Sequence, residues 1–104
     1  MKYTRLFIGE DGLSHFQDVE VLLTSGEHSQ YFSELIKAVG VIFRVTGADY
    51  DFDYHNAPRK QFIVNLEGGV EITASDGTVR VSGPGEIILG GGYHRQGAYQ
   101  SRGE

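Results

Sequence analysis

The stretch DYHNAPRKQF puts chemistry-bearing side chains close together: Asp53, Tyr54, His55, Arg59 and Gln61. Asp53 and His55 are two apart, so in an extended chain they share a face. Gln61 has the same parity, although Pro58 interrupts the run. A carboxylate and imidazoles meeting at one point suit Fe, Mn, Ni or Zn, and such a set leaves positions open for substrate. Gln61 would be a neutral and weaker ligand. The chain has three further histidines, at 15, 28 and 94. His94 lies 39 residues after His55, so only the fold could bring the two together. An imidazole titrates near neutral pH, so His55 or His94, if not ligating, would serve as a general base. Tyr54, Tyr93 or Tyr99 would donate to a developing oxyanion. The plainer reading of these residues is a polar rim on a β-structure, with Arg59 and Lys60 in solvent.

Other chemistries find less support. His28 sits in a polar run, and His15 opens an apolar-alternating segment where packing or a hydrogen bond is its expected role. Ser14 next to His15 has no evident acid partner, and no G-x-S-x-G elbow is present. No G-x-G-x-x-G precedes a convincing helix; Gly90, Gly91 and Gly92 read as a flexible turn.

The elements that would position these residues are strands. YTRLFI (3–8), HFQDVEVLL (15–23), VGVIFRV (39–45), FIVNL (62–66), VEITA (70–74), TVRVS (78–82) and EIILG (86–90) are short, rich in β-branched or aromatic residues, and separated by turn residues. TSGEHSQ reads as a loop and YFSELIKA as a loop or short helical turn. Asp76-Gly77 reads as a type I′ hairpin turn, which needs positive φ at both central positions. Fifteen glycines, used as punctuation, favour an all-β sandwich or closed barrel.

With 104 residues the chain is read as one domain, 1–104. It has no cysteine, which removes disulfides, thiolate metal sites and a cysteine nucleophile, and fits the cytoplasm. A net charge of -5 argues against nucleic-acid partners. The N-terminal MKYTRLFIGEDG has no signal-peptide apolar region, and no apolar run approaches the ~20 residues of a membrane helix.

Two blocks resemble the motifs of the cupin superfamily. In QFIVNLEG, Gln61 stands seven residues before Gly68, where cupins carry an acidic ligand; PGEIILGGGYH supplies Pro84, Gly85, Glu86 and His94 of the second motif. YTRLFIGEDGLSHFQDVEV, DYHNAPRKQF, ASDGTV and PGE together resemble a group of small single-domain bacterial cupins, mostly without assigned function, over nearly the whole chain. The resemblance implies an all-β, single-domain cupin jelly-roll β-barrel (a double-stranded β-helix) with an internal pocket for a small molecule. It puts Asp53 in the place of the first motif histidine and Gln61 in the acidic place. The last ligand position falls on His94 if the turn is shortened by four residues, and on Ala98 if it is not. With His94 there, Asp53, His55, Gln61 and His94 would hold one divalent metal; with Ala98, a ligand is lost. The implied functions are an isomerase, cyclase, decarboxylase or oxygenase acting on a small organic molecule, or a non-catalytic binding module. Cupins commonly dimerise, so a homodimer is expected, with the N-terminal strand covering a partner's sheet edge.

Overall fold

The computed structural model describes residues 1–56 and 59–98, with the backbone alone at 55, 56, 93 and 98. Ten strands account for the regular structure among them. They are β1 (Lys2–Ile8), β2 (Ser14–Glu20), β3 (Leu23–Glu27), β4 (Gln30–Ser33), β5 (Asp51–Asn56), β6 (Gln61–Val64), β7 (Val70–Ala74), β8 (Val79–Ser82), β9 (Ile87–Gly90) and β10 (Tyr93–Ala98). Among the described residues no helix is long and apolar enough to cross a membrane.

The strands form two four-stranded sheets, ordered β2-β1-β9-β6 and β5-β10-β7-β8, and a separate hairpin β3-β4. Pairing is antiparallel throughout, except that β1 runs parallel to β9. Alternation along the strands sends one row of side chains inward. Leu6 from β1 and Ile88 from β9 meet Ile72 and Ala74 from β7, with Phe16 and Val70 packed against them. This cluster joins the two sheets face to face. The all-β expectation holds, but no closed barrel forms among the described residues: each four-stranded sheet ends in two free edges.

The second half follows its predicted turns closely. Pro84 and Gly85 make a tight turn in which the Glu86 N–H donates to the Gly83 carbonyl at 3.1 Å. Gly85 has a φ of +79°, as the third residue of a type II turn requires. The Glu86 carboxylate accepts from the Gly83 N–H at 3.2 Å, so the acid of the PGE block has a local structural task. The Asp76-Gly77 turn exists but differs from expectation. Positive φ occurs at Gly77 and not at Asp76, and the Gly77 N–H closes on the Ala74 carbonyl at 3.0 Å. A turn followed by one left-handed glycine is the longer hairpin connection rather than type I′.

The first half departs further. TSGEHSQ and the start of YFSELIKA form the hairpin β3-β4, turned at His28 and Ser29, both with positive φ (54° and 62°). This is where a type I′ geometry sits, without glycine. HFQDVEVLL is split between β2 and β3. Residues 39–45, which read as a strand by composition, form no strand: high β propensity marks a segment that suits a sheet, but a strand needs a partner edge. The Gly90–Gly92 run is constrained rather than loose. A side chain at Gly92 would meet the Ile8 Cδ1 at 2.9 Å, and its φ is +82°. The chain crosses there from one sheet to the other, close beneath β1.

Candidate functional site

β10 carries the buried polar centre of the molecule. His94 is 2% exposed and Gln96 8% exposed. The two are two residues apart, so they point inward together, while Arg95 between them points out. Outside, Arg95 holds Asp51 of β5 through a two-pronged ion pair at 2.9 and 3.0 Å, which raises the already high pKa of its guanidinium. This pair fastens β10 to β5 next to the buried residues.

Inside, the hydrogen bonds run in one direction. The Tyr50 hydroxyl donates to Gln96 Oε1 at 3.1 Å. The Gln96 amide nitrogen then meets His94 Nε2 at 2.6 Å. On the far side of the ring, His94 Nδ1 lies 3.0 Å from the Gly92 carbonyl oxygen. A carbonyl only accepts, so Nδ1 carries the proton; an amide NH₂ only donates, so Nε2 accepts. With Gln96 Oε1 turned toward the Tyr50 hydroxyl, this geometry holds His94 as one neutral tautomer. Gln96 was not singled out in the sequence, although its spacing of two from His94 on a strand was the available signal. Tyr50 had none, because it lies just before β5 and reaches Gln96 only through the fold.

The expected site residues are distributed as follows. The β5-β10 register sets His55 directly opposite His94, which makes these two distant positions neighbours on adjoining strands. A register shift between His94 and Gln96 leaves Asp53 and Tyr54 at a β-bulge facing Arg95. Both are exposed, Tyr54 to 39%. Asp53 uses a carboxylate oxygen locally, accepting from the Tyr54 N–H at 2.8 Å. Bulges re-aim side chains, so the equal parity of 53 and 55 does not carry across this one. Gln61 is half-buried on β6 of the other sheet, opposite Gly90. Arg59 and Lys60 are exposed. The backbone of Tyr93 is set opposite Asn56, and that of Ala98 opposite Val70 at the end of β10. Tyr99 lies outside the described residues.

The donors present can be tested against a divalent metal. Donation of Nδ1–H to a backbone carbonyl is how a metal-bound histidine is commonly oriented. The lone pair that would then face the metal, on Nε2, is directed at the Gln96 amide. Among the described residues no three His, Asp or Glu side chains are placed to hold an ion. In this arrangement the His94 end of the proposed set does not fit a metal unless Gln96 turns away.

A second polar cluster, unforeseen in the sequence, lies where β2 begins. His15 Nε2 is 2.9 Å from both oxygens of Asp11, and its Nδ1 is 2.8 Å from Asp76. The Asp11 hydrogen bond, with support from Asp76, raises the His15 pKa above its ordinary 6.5. The same bond holds Asp11 below its ordinary 3.8. Asp76 is lowered too, first by bonds from the Thr78 hydroxyl and N–H and then by His15. Beside it, Ser14 is fully buried and is locked to Ser75 by reciprocal bonds: each backbone N–H donates to the other's hydroxyl at 2.7 Å. With both His15 nitrogens on carboxylates and Ser14 Oγ on Ser75, the adjacent Ser-His pair is a clasp between β2 and the β7-β8 turn, not a nucleophile and its base.

The chain matches no protein-family profile, no curated protein and no solved structure.

Proposed function

We propose that this is a cupin-type jelly-roll domain that takes a small polar organic molecule against the Tyr50–Gln96–His94 chain, and that His94 moves a proton on it. The observation that carries this reading is the buried, neutral, tautomer-fixed His94 on β10, set opposite His55. An imidazole anchored through Nδ1 has a fixed direction for proton transfer at Nε2, the arrangement a general base needs. The ligand would displace the Gln96 amide from Nε2 and inherit a hydrogen-bonding environment already formed. The buried place of His94 also supports it, rather than Ala98, as the counterpart of the last cupin motif histidine. The reaction class is acid–base chemistry on a small acid, enol or sugar-like molecule, of the isomerase, cyclase or decarboxylase kind. An oxygenase or any other metal-assisted route would first need Gln96 to turn away.

A second reading, a binding module without chemistry, is favoured by one feature: Gln96 closes off the basic nitrogen. One experiment separates the two. A panel of small organic acids, enols and sugars is screened by ligand-observed NMR, and any ligand found is tested on wild type, His94→Gln and Gln96→Ala. The enzyme reading expects turnover in wild type and retained binding without turnover in His94→Gln. Binding without turnover in all three chains supports the module. A ligand whose binding leaves the His94 ring resonances unmoved would sink both.

A further inference from the structure

The segment from Leu35 to Val45 is apolar, described in full, and bare. Leu35 is 93% exposed, Val39 111%, Val41 82%, Ile42 74%, Phe43 91% and Val45 97%. It follows the hairpin β3-β4, every residue of which is exposed. A two-stranded hairpin alone in water is marginal, so this whole region lacks the cover its composition calls for. In an extended conformation Val39, Val41, Phe43 and Val45 fall on one face and Gly40, Ile42 and Arg44 on the other. That is the pattern of a strand laid on an apolar layer with its charged side outward.

The molecule also offers a place for such a strand. Of the four edges of the two four-stranded sheets, β2 carries Asp18 and Glu20, β5 carries Asp51 and Asp53, and β8 carries Arg80. Charges on an edge strand are the usual protection against pairing with another chain. β6, QFIV, carries none, and its Phe62 and Val64 are 42% and 55% exposed. Among the described residues an uncharged edge of the sandwich and a strand former with no strand beside it therefore stand on the same chain. We infer that residues 39–45 form a strand in a homodimer, pairing with the β6 edge of a second copy, while that copy's arm pairs with the first.

The exchange is reciprocal, so it closes as a two-fold dimer rather than growing into a fibre. Its size is adequate. At about 100 Å² for each of the four same-face residues, two arms alone remove about 800 Å² from water, and the β6 surfaces that they cover bring the total toward the lower end of a stable interface. β1, by contrast, is paired on both sides within its own chain and is not available for exchange. This inference is independent of the proposed chemistry at His94.

Sedimentation equilibrium of the wild-type chain at micromolar concentration is expected to give a dimer. Phe43→Lys on the arm and Val64→Lys on the edge should each give a folded monomer. Because the chain has no cysteine, pairing can be read directly. Equal amounts of Phe43→Cys and Val64→Cys chains are mixed and oxidised, and the expected product is a disulfide between one of each. A monomeric wild type overturns the inference. So does a Phe43→Cys/Val64→Cys double variant that cross-links only within one chain, which would mean that the arm folds back on its own β6.

Discussion

The sandwich and the arm are made of the same kinds of residues and meet opposite fates. Leu6, Ile72 and Ile88 are at most 5% exposed, whereas Val39, Phe43 and Val45 are more than 90% exposed. Valines, isoleucines and phenylalanines supply both. The difference lies in partners. β7 has β10 on one side, β8 on the other and the opposite sheet across the core, while residues 39–45 have no strand beside them among the described residues. Burial of apolar surface is a property of where neighbours stand, not of the residue.

The largest effect should come from breaking the buried side of this contrast. Ile72→Ala removes a side chain at the centre of the only cluster shared by the two sheets among the described residues, and should cost about 2–5 kcal/mol in chemical denaturation. Val41→Ala, a similar truncation on the face that the arm would bury, should cost less than about 0.5 kcal/mol at concentrations where the chain is monomeric. Its cost should grow with protein concentration if the arm is buried between copies. Equal costs at high dilution would mean that the arm is covered within the monomer.

A smaller effect is expected at the Ser14–Ser75 clasp. Ser14→Ala leaves the half-buried Ser75 N–H without its 2.7 Å acceptor and should cost about 1 kcal/mol. Ser25→Ala in the exposed hairpin should be close to neutral. Parity between the two would remove the clasp from any account of what holds β2 to the β7-β8 turn.

Much of the sandwich was legible because its signals are local. β1, β7, β8 and β9 coincide closely with short alternating or apolar runs between turn residues, and the PGE turn follows from proline and glycine alone. Residues 39–45 carried the same local signal, and it misled, because pairing is decided by the rest of the chain. The β3-β4 hairpin was missed for the converse reason: its turn residues, His28 and Ser29, are not ones that advertise positive φ. At the candidate site, His94 could be named through its resemblance to a cupin motif. Its partner Gln96 followed from strand periodicity and was overlooked. Tyr50 was invisible, since nothing in the sequence says that a residue 46 positions away donates to Gln96.

That buried chain gives the next prediction. In ¹⁵N spectra of the wild type, His94 should show the neutral Nδ1–H tautomer, and Gln96→Leu should move its Nε2 resonance while costing about 1–2 kcal/mol. An Nε2–H tautomer in the wild type would turn the Gln96 amide round and remove the bond to the Gly92 carbonyl, and so overturn this assignment. His28, exposed on the uncovered hairpin, is the internal control and should be unaffected by the Gln96 change.

The smallest effect is expected at His15, and its pH dependence has a defined sign. A base whose folded pKa is raised stabilises the fold in its protonated form. The His15 contribution is therefore complete below 6.5 and fades as pH rises through the raised value. Asp11 and Asp76 are held below 3.8, so their contribution is complete above 3.8 and is lost as pH falls through the lowered values. The clasp is thus strongest between those limits. The difference in Tm between wild type and His15→Gln should be greatest near about pH 5 and should shrink on both sides. Because exposed ion pairs are screened, the His15 peak should also be lower in 1 M salt, where the Debye length falls to about 3 Å. A His15 difference independent of both pH and salt would assign the residue a packing role against Phe7, whose ring centroid lies 6.0 Å away, in place of a charged one.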